Sequence, residues 1–192
     1  MNSIDLTKQY YINNSKEYVT STLSVNMQEH YDRFVPRLNE GAKILDVGFG
    51  SGRDMLYFAS QGYDVKGIDI VEDFVSLGKE NGLSVSLCDF HNIPYVNEFD
   101  GVWACASLLH SNDLTLALKN IHKVLKTGGC AYISMKYGEG TQIDNGRFYQ
   151  FVNEETLANY CSNASLIIDK IYISQDLMNR SNNWINAVLI KK

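Results

Sequence analysis

The sequence predicts an α/β fold: a seven-stranded, mostly parallel sheet with helices on both faces and an antiparallel hairpin at one edge. Three observations predict it. An apolar run, Ile44 to Val47, turns through alternating glycines into a helical pattern. Strand-like runs then alternate with helical stretches, the rhythm of a parallel sheet covered on both sides. Finally, two strand-like runs close the chain with only a loop between them, an arrangement most simply met by an antiparallel pair.

The elements follow in order. Residues 7–38 are polar but helix-compatible, and carry Tyr10, Tyr11, Tyr18 and Tyr31. A strand at 43–47 leads into a helix at 53–61, stopped by Gln61-Gly62. A strand at 64–69 precedes a helix near 71–80, closed by Asn81-Gly82. Leu83 to Leu87 alternates as a third strand, and Phe99 to Ala106 is the fourth. Leu114, Leu118, Ile121 and Leu125 give helical periodicity over 112–126, ending at Thr127-Gly128-Gly129. Cys130 to Met135 is the fifth strand, and a glycine-bearing loop spans 137–147. Asn153 is placed to cap a helix before Glu154-Glu155-Thr156. Leu166 to Ile173 and Trp184 to Ile190 are the closing strands. One domain is expected over 1–192, with 1–40 as a helical lid or cap and 41–192 as the core. In such sheets the ligand lies beyond the carboxyl ends of the strands, so the loops after residues 47, 69, 87, 105 and 136 should line one cleft.

The first strand-to-helix turn carries the chemistry. Gly48, Gly50 and Gly52 allow a tight turn and close approach of a ligand, and the helix start offers unpaired N–H groups. Asp69 ends the second strand, where a carboxylate can accept from ribose hydroxyls. The dinucleotide fingerprint G-x-G-x-x-G would need glycine at position 53, where this chain has Arg53. The stretch Asp46-Val47-Gly48-Phe49-Gly50-Ser51-Gly52, followed by Asp69, instead resembles the class I S-adenosylmethionine-dependent methyltransferases. Cys88-Asp89-Phe90, Phe99-Asp100-Gly101-Val102-Trp103-Ala104 and Leu125-Lys126-Thr127-Gly128-Gly129 resemble that family's later motifs, so the likeness covers nearly the whole chain. Phe49 departs from the family, where many members carry a small residue or cysteine. Fainter likenesses point to the tellurite-resistance enzymes, through Arg53-Asp54, and to the tRNA wobble-uridine enzymes, through Gly146-Arg147-Phe148-Tyr149.

The resemblance implies a Rossmann-like core, S-adenosyl-L-methionine as cofactor, S-adenosyl-L-homocysteine as product, and no metal. It implies that Gly48, Gly50 and Gly52, next to Asp46, approach the methionine part and ribose. Asp69 would take the ribose hydroxyls, Ile70 pack on the adenine, Asp89 and the Phe90 N–H bind its polar edge, and Ala104 lie near the sulfonium. Arg53 reads either as the partner of the cofactor carboxylate or as a surface residue in a first helical turn. The stretch 11–18 resembles the family's lid helix, with Tyr11 over the cofactor and Tyr18 toward the substrate, or with both packed on the sheet edge.

On the substrate side, His110 follows the fourth strand at the cleft mouth, and its near-neutral pKa suits proton transfer. Lys136 and Arg147 flank the glycine-bearing loop as a clamp for an anionic group, unless Glu139 or Asp144 neutralises Arg147. Trp184 reads as core rather than as a pocket wall. His30, His91 and His122 have no comparable placement, with His122 expected to be exposed.

The formal charge of −5 does not suggest the basic face of a general nucleic-acid binder, although a local basic patch is compatible with it. No apolar run approaches the roughly 20 residues of a membrane span, and no signal-peptide pattern opens the chain. Four widely spaced cysteines without C-x-x-C pairing read as reduced thiols of a cytoplasmic protein. The leading expectation is methyl transfer to a small, anionic acceptor by a monomer or homodimer. An RNA-modifying enzyme and a non-catalytic cofactor-binding regulator are the alternatives. A nicotinamide-dependent oxidoreductase is disfavoured by Arg53 and by the lack of a second domain.

Overall fold

In the computed structural model, which describes residues 3–192, strands and helices alternate as the apolar pattern requires. Helix α1 (Ser3–Thr22) is kinked at Asn14, and α2 (Gln28–Phe34) runs into a 3-10 turn at Val35–Arg37. Then come β1 (Lys43–Val47), α3 (Arg53–Ser60), β2 (Asp64–Asp69), α4 (Glu72–Glu80), β3 (Ser84–Leu87) and β4 (Phe99–Cys105). The second half holds α5 (Leu114–Val124), β5 (Leu125–Tyr137), β6 (Thr141–Asp144), β7 (Arg147–Val152), α6 (Glu154–Asn163), β8 (Leu166–Gln175) and β9 (Asn183–Lys191).

The strands β3-β2-β1-β4-β5 are parallel neighbours, and β9 with β8 extends the sheet antiparallel beyond β5. These seven are the expected sheet. Its central strands are apolar on both faces, so neighbouring residues serve different cores. Leu45, Val47, Val102 and Ile133 meet α5 and α6 on one face, while Ile44, Trp103 and Tyr132 meet Phe34 of α2 and Phe58 of α3 on the other. Asn153 caps α6 through a reciprocal pair with Thr156, as its position predicts.

Two expectations are corrected. Helix α5 ends at Val124, not at the glycines. Leu125 already pairs with Phe99, and Lys126 to Gly129 bulge out before Cys130 rejoins the ladder opposite Gly101. The stretch 137–147 is not a loop but most of a second hairpin, β6–β7, so the sheet has nine strands rather than seven. Its turn is Asn145-Gly146, both at positive φ (47° and 76°), the two-residue hairpin turn that the Asn-Gly pair favours. The hairpin fits because β5 outruns β4. That pairing stops at Cys105 and Ser134, and β7 takes the vacated side opposite Lys136 and Tyr137.

Candidate active site

The carboxyl ends of β1, β2, β3 and β4 open on one cleft of about 610 Å³, lined by Gly48 and Gly50, then Asp69 and Ile70, then Cys88 and Phe90, then Ala106, Ser107 and His110. Helix α1 roofs it with Ile4, Thr7, Tyr11 and Tyr18. The two glycines are required by contact as well as by backbone. A Cβ on Gly48 would lie 2.5 Å from Ser107 Cβ, and one on Gly50 would lie 2.9 Å from the Tyr18 ring. Asp69 is buried, accepting the Gly50 N–H at 3.0 Å and the Val71 N–H at 2.9 Å. Burial pushes its carboxyl up to about 6 against those N–H groups. Ser107 lines the same cleft, and its Oγ is buried without a hydrogen-bond partner among the described residues.

Several expected positions lie elsewhere. Ala104 is fully buried in the hydrophobic core, so Ala106 and Ser107 form the wall after β4 instead. Gly52 starts α3 and packs toward Leu83, away from the cleft. Asp89 turns its carboxylate to the N–H of His91 (2.8 Å) and to the same residue's ring (3.1 Å), leaving Phe90 to line the cleft. Asp46 is buried behind the glycines with Oδ2 unpartnered; burial, then the Asp54 charge, push its carboxyl well above the usual range. The guanidinium of Arg53 is already taken, with Nε and Nη2 on the carboxylate of Asp54 at 2.7 and 2.8 Å. Asp54 was not anticipated as a hub. It also accepts Tyr31 O–H at 2.5 Å and Trp103 Nε1–H at 2.8 Å.

A second cleft of about 840 Å³ adjoins the first and shares Tyr11, Tyr18, Ala106 and His110 with it. Lys136 and Arg147 line it, together with Arg53, Trp184 and His30. Lys136 Nζ lies 3.7 Å from the centroid of Tyr149, and Arg147 Cζ lies 4.2 Å from that of Tyr10 and 5.3 Å from that of Tyr149. Among the described residues neither cation has an ion pair. The expected neutralisers do not act: Glu139 accepts from Asn153 at 2.8 Å, and Asp144 is only a cross-strand neighbour of Arg147. Burial, then the Arg147 charge, lower the Lys136 pKa. Trp184 both packs on the core and faces the cleft, its Nε1–H donating to Asp176 at 2.9 Å. His30 also reaches this cleft, with Nδ1 at 2.8 Å from Tyr172 Oη. His122 is half-buried on α5.

His110 sits where the two clefts meet. Its Nδ1 lies 2.6 Å from the Phe148 carbonyl on β7, which can only accept. That contact puts the proton on Nδ1 and leaves Nε2 to accept from Tyr11 O–H at 3.0 Å. Burial, helped by Arg147 and Lys136, pushes the imidazole down to about 4, and burial pushes the Tyr11 phenol up to about 12. Among the described residues no cluster of three or more His, Cys, Asp or Glu side chains is arranged to hold a metal ion.

Residues 45–133 match a family model described as a methyltransferase domain. The methyltransferase GfsG of Streptomyces halstedii is 32% identical over 117 residues, 56% of this chain and 42% of that protein. A ubiquinone/menaquinone biosynthesis C-methyltransferase of Geotalea uraniireducens is 29% identical over 132 residues, 61% of this chain and 56% of that protein. The chain thus spans about half the length of these curated relatives. A solved structure of Burkholderia thailandensis 1,6-didemethyltoxoflavin-N1-methyltransferase, with 1,6-didemethyltoxoflavin and S-adenosylhomocysteine bound, has the same fold. It superposes with a TM-score of 0.81 at 22% identity, covering 96% of this chain and 87% of that one.

Proposed function

We propose that the chain is a class I S-adenosylmethionine-dependent methyltransferase, one that transfers a methyl group from S-adenosylmethionine to a small acceptor bearing an anionic group. The observation that carries this reading is a glycine-and-carboxylate cradle joined through shared residues to a cationic cleft. The cradle suits an adenosyl group, because no side chain fits at Gly48 or Gly50, while Asp69 and Ser107 offer buried polar oxygens. The cofactor supplies a methyl group already activated on a sulfonium.

The chain's own residues supply position and dryness. Asp69 accepts from hydroxyl donors while its bonds to Gly50 and Val71 hold the loop still. Phe90 and Ile70 provide apolar walls for a flat ring. Tyr11 and Tyr18 exclude water between the clefts, and Lys136 with Arg147 orients the acceptor. His110 is neutral near pH 7, and its one free lone pair is already met by Tyr11 O–H. A ring held near 4 beside a phenol near 12 is a poor proton sink at pH 7, so what His110 supplies here is a fixed orientation of Tyr11 O–H where the two clefts meet. Four free thiols fit a reducing cytoplasmic setting.

Isothermal titration with S-adenosylmethionine, S-adenosylhomocysteine and NADH tests the cofactor class. The two sulfur compounds should bind and NADH should not. Binding of NADH alone would return the chain to the oxidoreductases.

A further inference from the structure

Resting on the reading above, we propose that the second cleft takes an acceptor whose anionic group sits on a flat aromatic body, the anion held between Lys136 and Arg147 and the ring lying toward Trp184. Four basic side chains of α3, β5, β7 and the 176–183 segment line this cleft. Arg53 is neutralised by Asp54 and Arg180 by Asp176. Lys136 and Arg147 have no such partner among the described residues, and Arg147 Nε is buried with no hydrogen bond at all. Two uncompensated cations flanking one ring, that of Tyr149, repel each other and lack full hydration. An anion relieves both costs. Burial first, and then the Arg147 charge, lower the Lys136 pKa, as a half-buried ammonium beside a second cation requires.

The apolar part of the lining is Met27, Leu109, Met178 and Trp184, surfaces on which a flat ring can pack, beside polar residues such as Ser134, Ser174 and Asn186. Trp184 is fixed in orientation by its N–H bond to Asp176, and thioethers pack well on ring edges. Carboxylate and phosphate share the recognition chemistry of an Arg fork beside an ammonium group.

The test titrates the full chain, saturated with S-adenosylhomocysteine, with 4-hydroxybenzoate, phenyl phosphate, inorganic phosphate and the neutral 4-hydroxybenzamide. At least one aromatic anion should bind ten or more times tighter than both inorganic phosphate and the benzamide, as a charge-assisted bond implies. Whichever aromatic anion wins identifies the head group. Lys136→Met and Arg147→Met should each weaken that binding about tenfold. Unchanged S-adenosylhomocysteine affinity is the control that each variant has folded. Aromatic anions no tighter than phosphate or benzamide, or binding indifferent to both variants, overturns the proposal. Failure of S-adenosylhomocysteine itself to bind overturns instead the cofactor reading on which the proposal rests.

Discussion

Asp69 is the residue on which cofactor affinity should turn. Its carboxyl is held near 6, so lowering the pH through that value protonates the carboxylate proposed to accept the ribose hydroxyls. S-adenosylhomocysteine affinity should therefore fall as pH drops from 7 to 5. In Asp69→Asn it should be weaker by roughly 10- to 100-fold and flat across that range, as a lost bond to a charged acceptor predicts. Titrations at three pH values check this, and an unaltered pH profile in the variant removes Asp69 from the role. His110 makes the opposite kind of statement. Its imidazole titrates near 6.5 when unfolded and near 4 when folded. The unfolded chain thus binds the extra proton between those values, and stability is lost as pH falls through that window. His110→Gln should remove up to about 1.4 kcal/mol per pH unit from that slope in urea melts. Equal slopes would show that the buried ring is protonated in the fold. The sequence disclosed both residues, since each follows a strand at the cleft end of the sheet. It did not disclose that Tyr11, 99 positions from His110, meets the imidazole, because pairings across the fold leave no mark in local spacing.

At the scale of elements, the strands and helices of the core were legible because each has the period of its class. The Phe148 carbonyl that sets the His110 tautomer lies on a hairpin read beforehand as a loop, its glycines taken as punctuation. The signal was present in Asn145-Gly146, between Thr141–Asp144 and Arg147–Val152. Likewise the adjacency of Arg53 and Asp54 was visible, but not that they pair, since that depends on Tyr31 and Trp103 holding Asp54 in place. The hairpin turn is directly testable. Gly146 is open to solvent space where a Cβ would sit, so a side chain there acts through backbone alone. Gly146→Val should cost about 1–2 kcal/mol in urea unfolding, while Asn145→Gly, which keeps the turn, should cost nothing measurable. A neutral Gly146→Val would mean that the hairpin contributes little to the folded state.

Over the whole molecule, the cofactor cleft ties together segments from residue 4 to residue 110 under the α1 roof. A ligand that binds only this assembled state stabilises all of it. At 100 times its Kd, S-adenosylhomocysteine should add about 2.7 kcal/mol, which for a chain this size raises Tm by roughly 5–10 °C. Calorimetry with and without the ligand reads the shift, and a rise confined to one of two separate transitions would mean that the roof and the sheet unfold independently.

The β6–β7 hairpin sits apart from the proposed cofactor cradle. It joins the sheet through only two paired positions, Lys136 with Phe151 and Tyr137 with Val152, in the space that β4 leaves free. The glycine turn and Asp69 hang instead on β1 and β2, three to four strands away across the sheet. The rest of the hairpin's hold is on the roof and on His110, through the Phe148 N–H donating to Thr7 Oγ1 at 2.9 Å and the Phe148 carbonyl 2.6 Å from His110 Nδ1. A change at the hairpin is therefore expected to reach the proposed acceptor side, through Lys136 and Arg147, before it reaches the glycine turn.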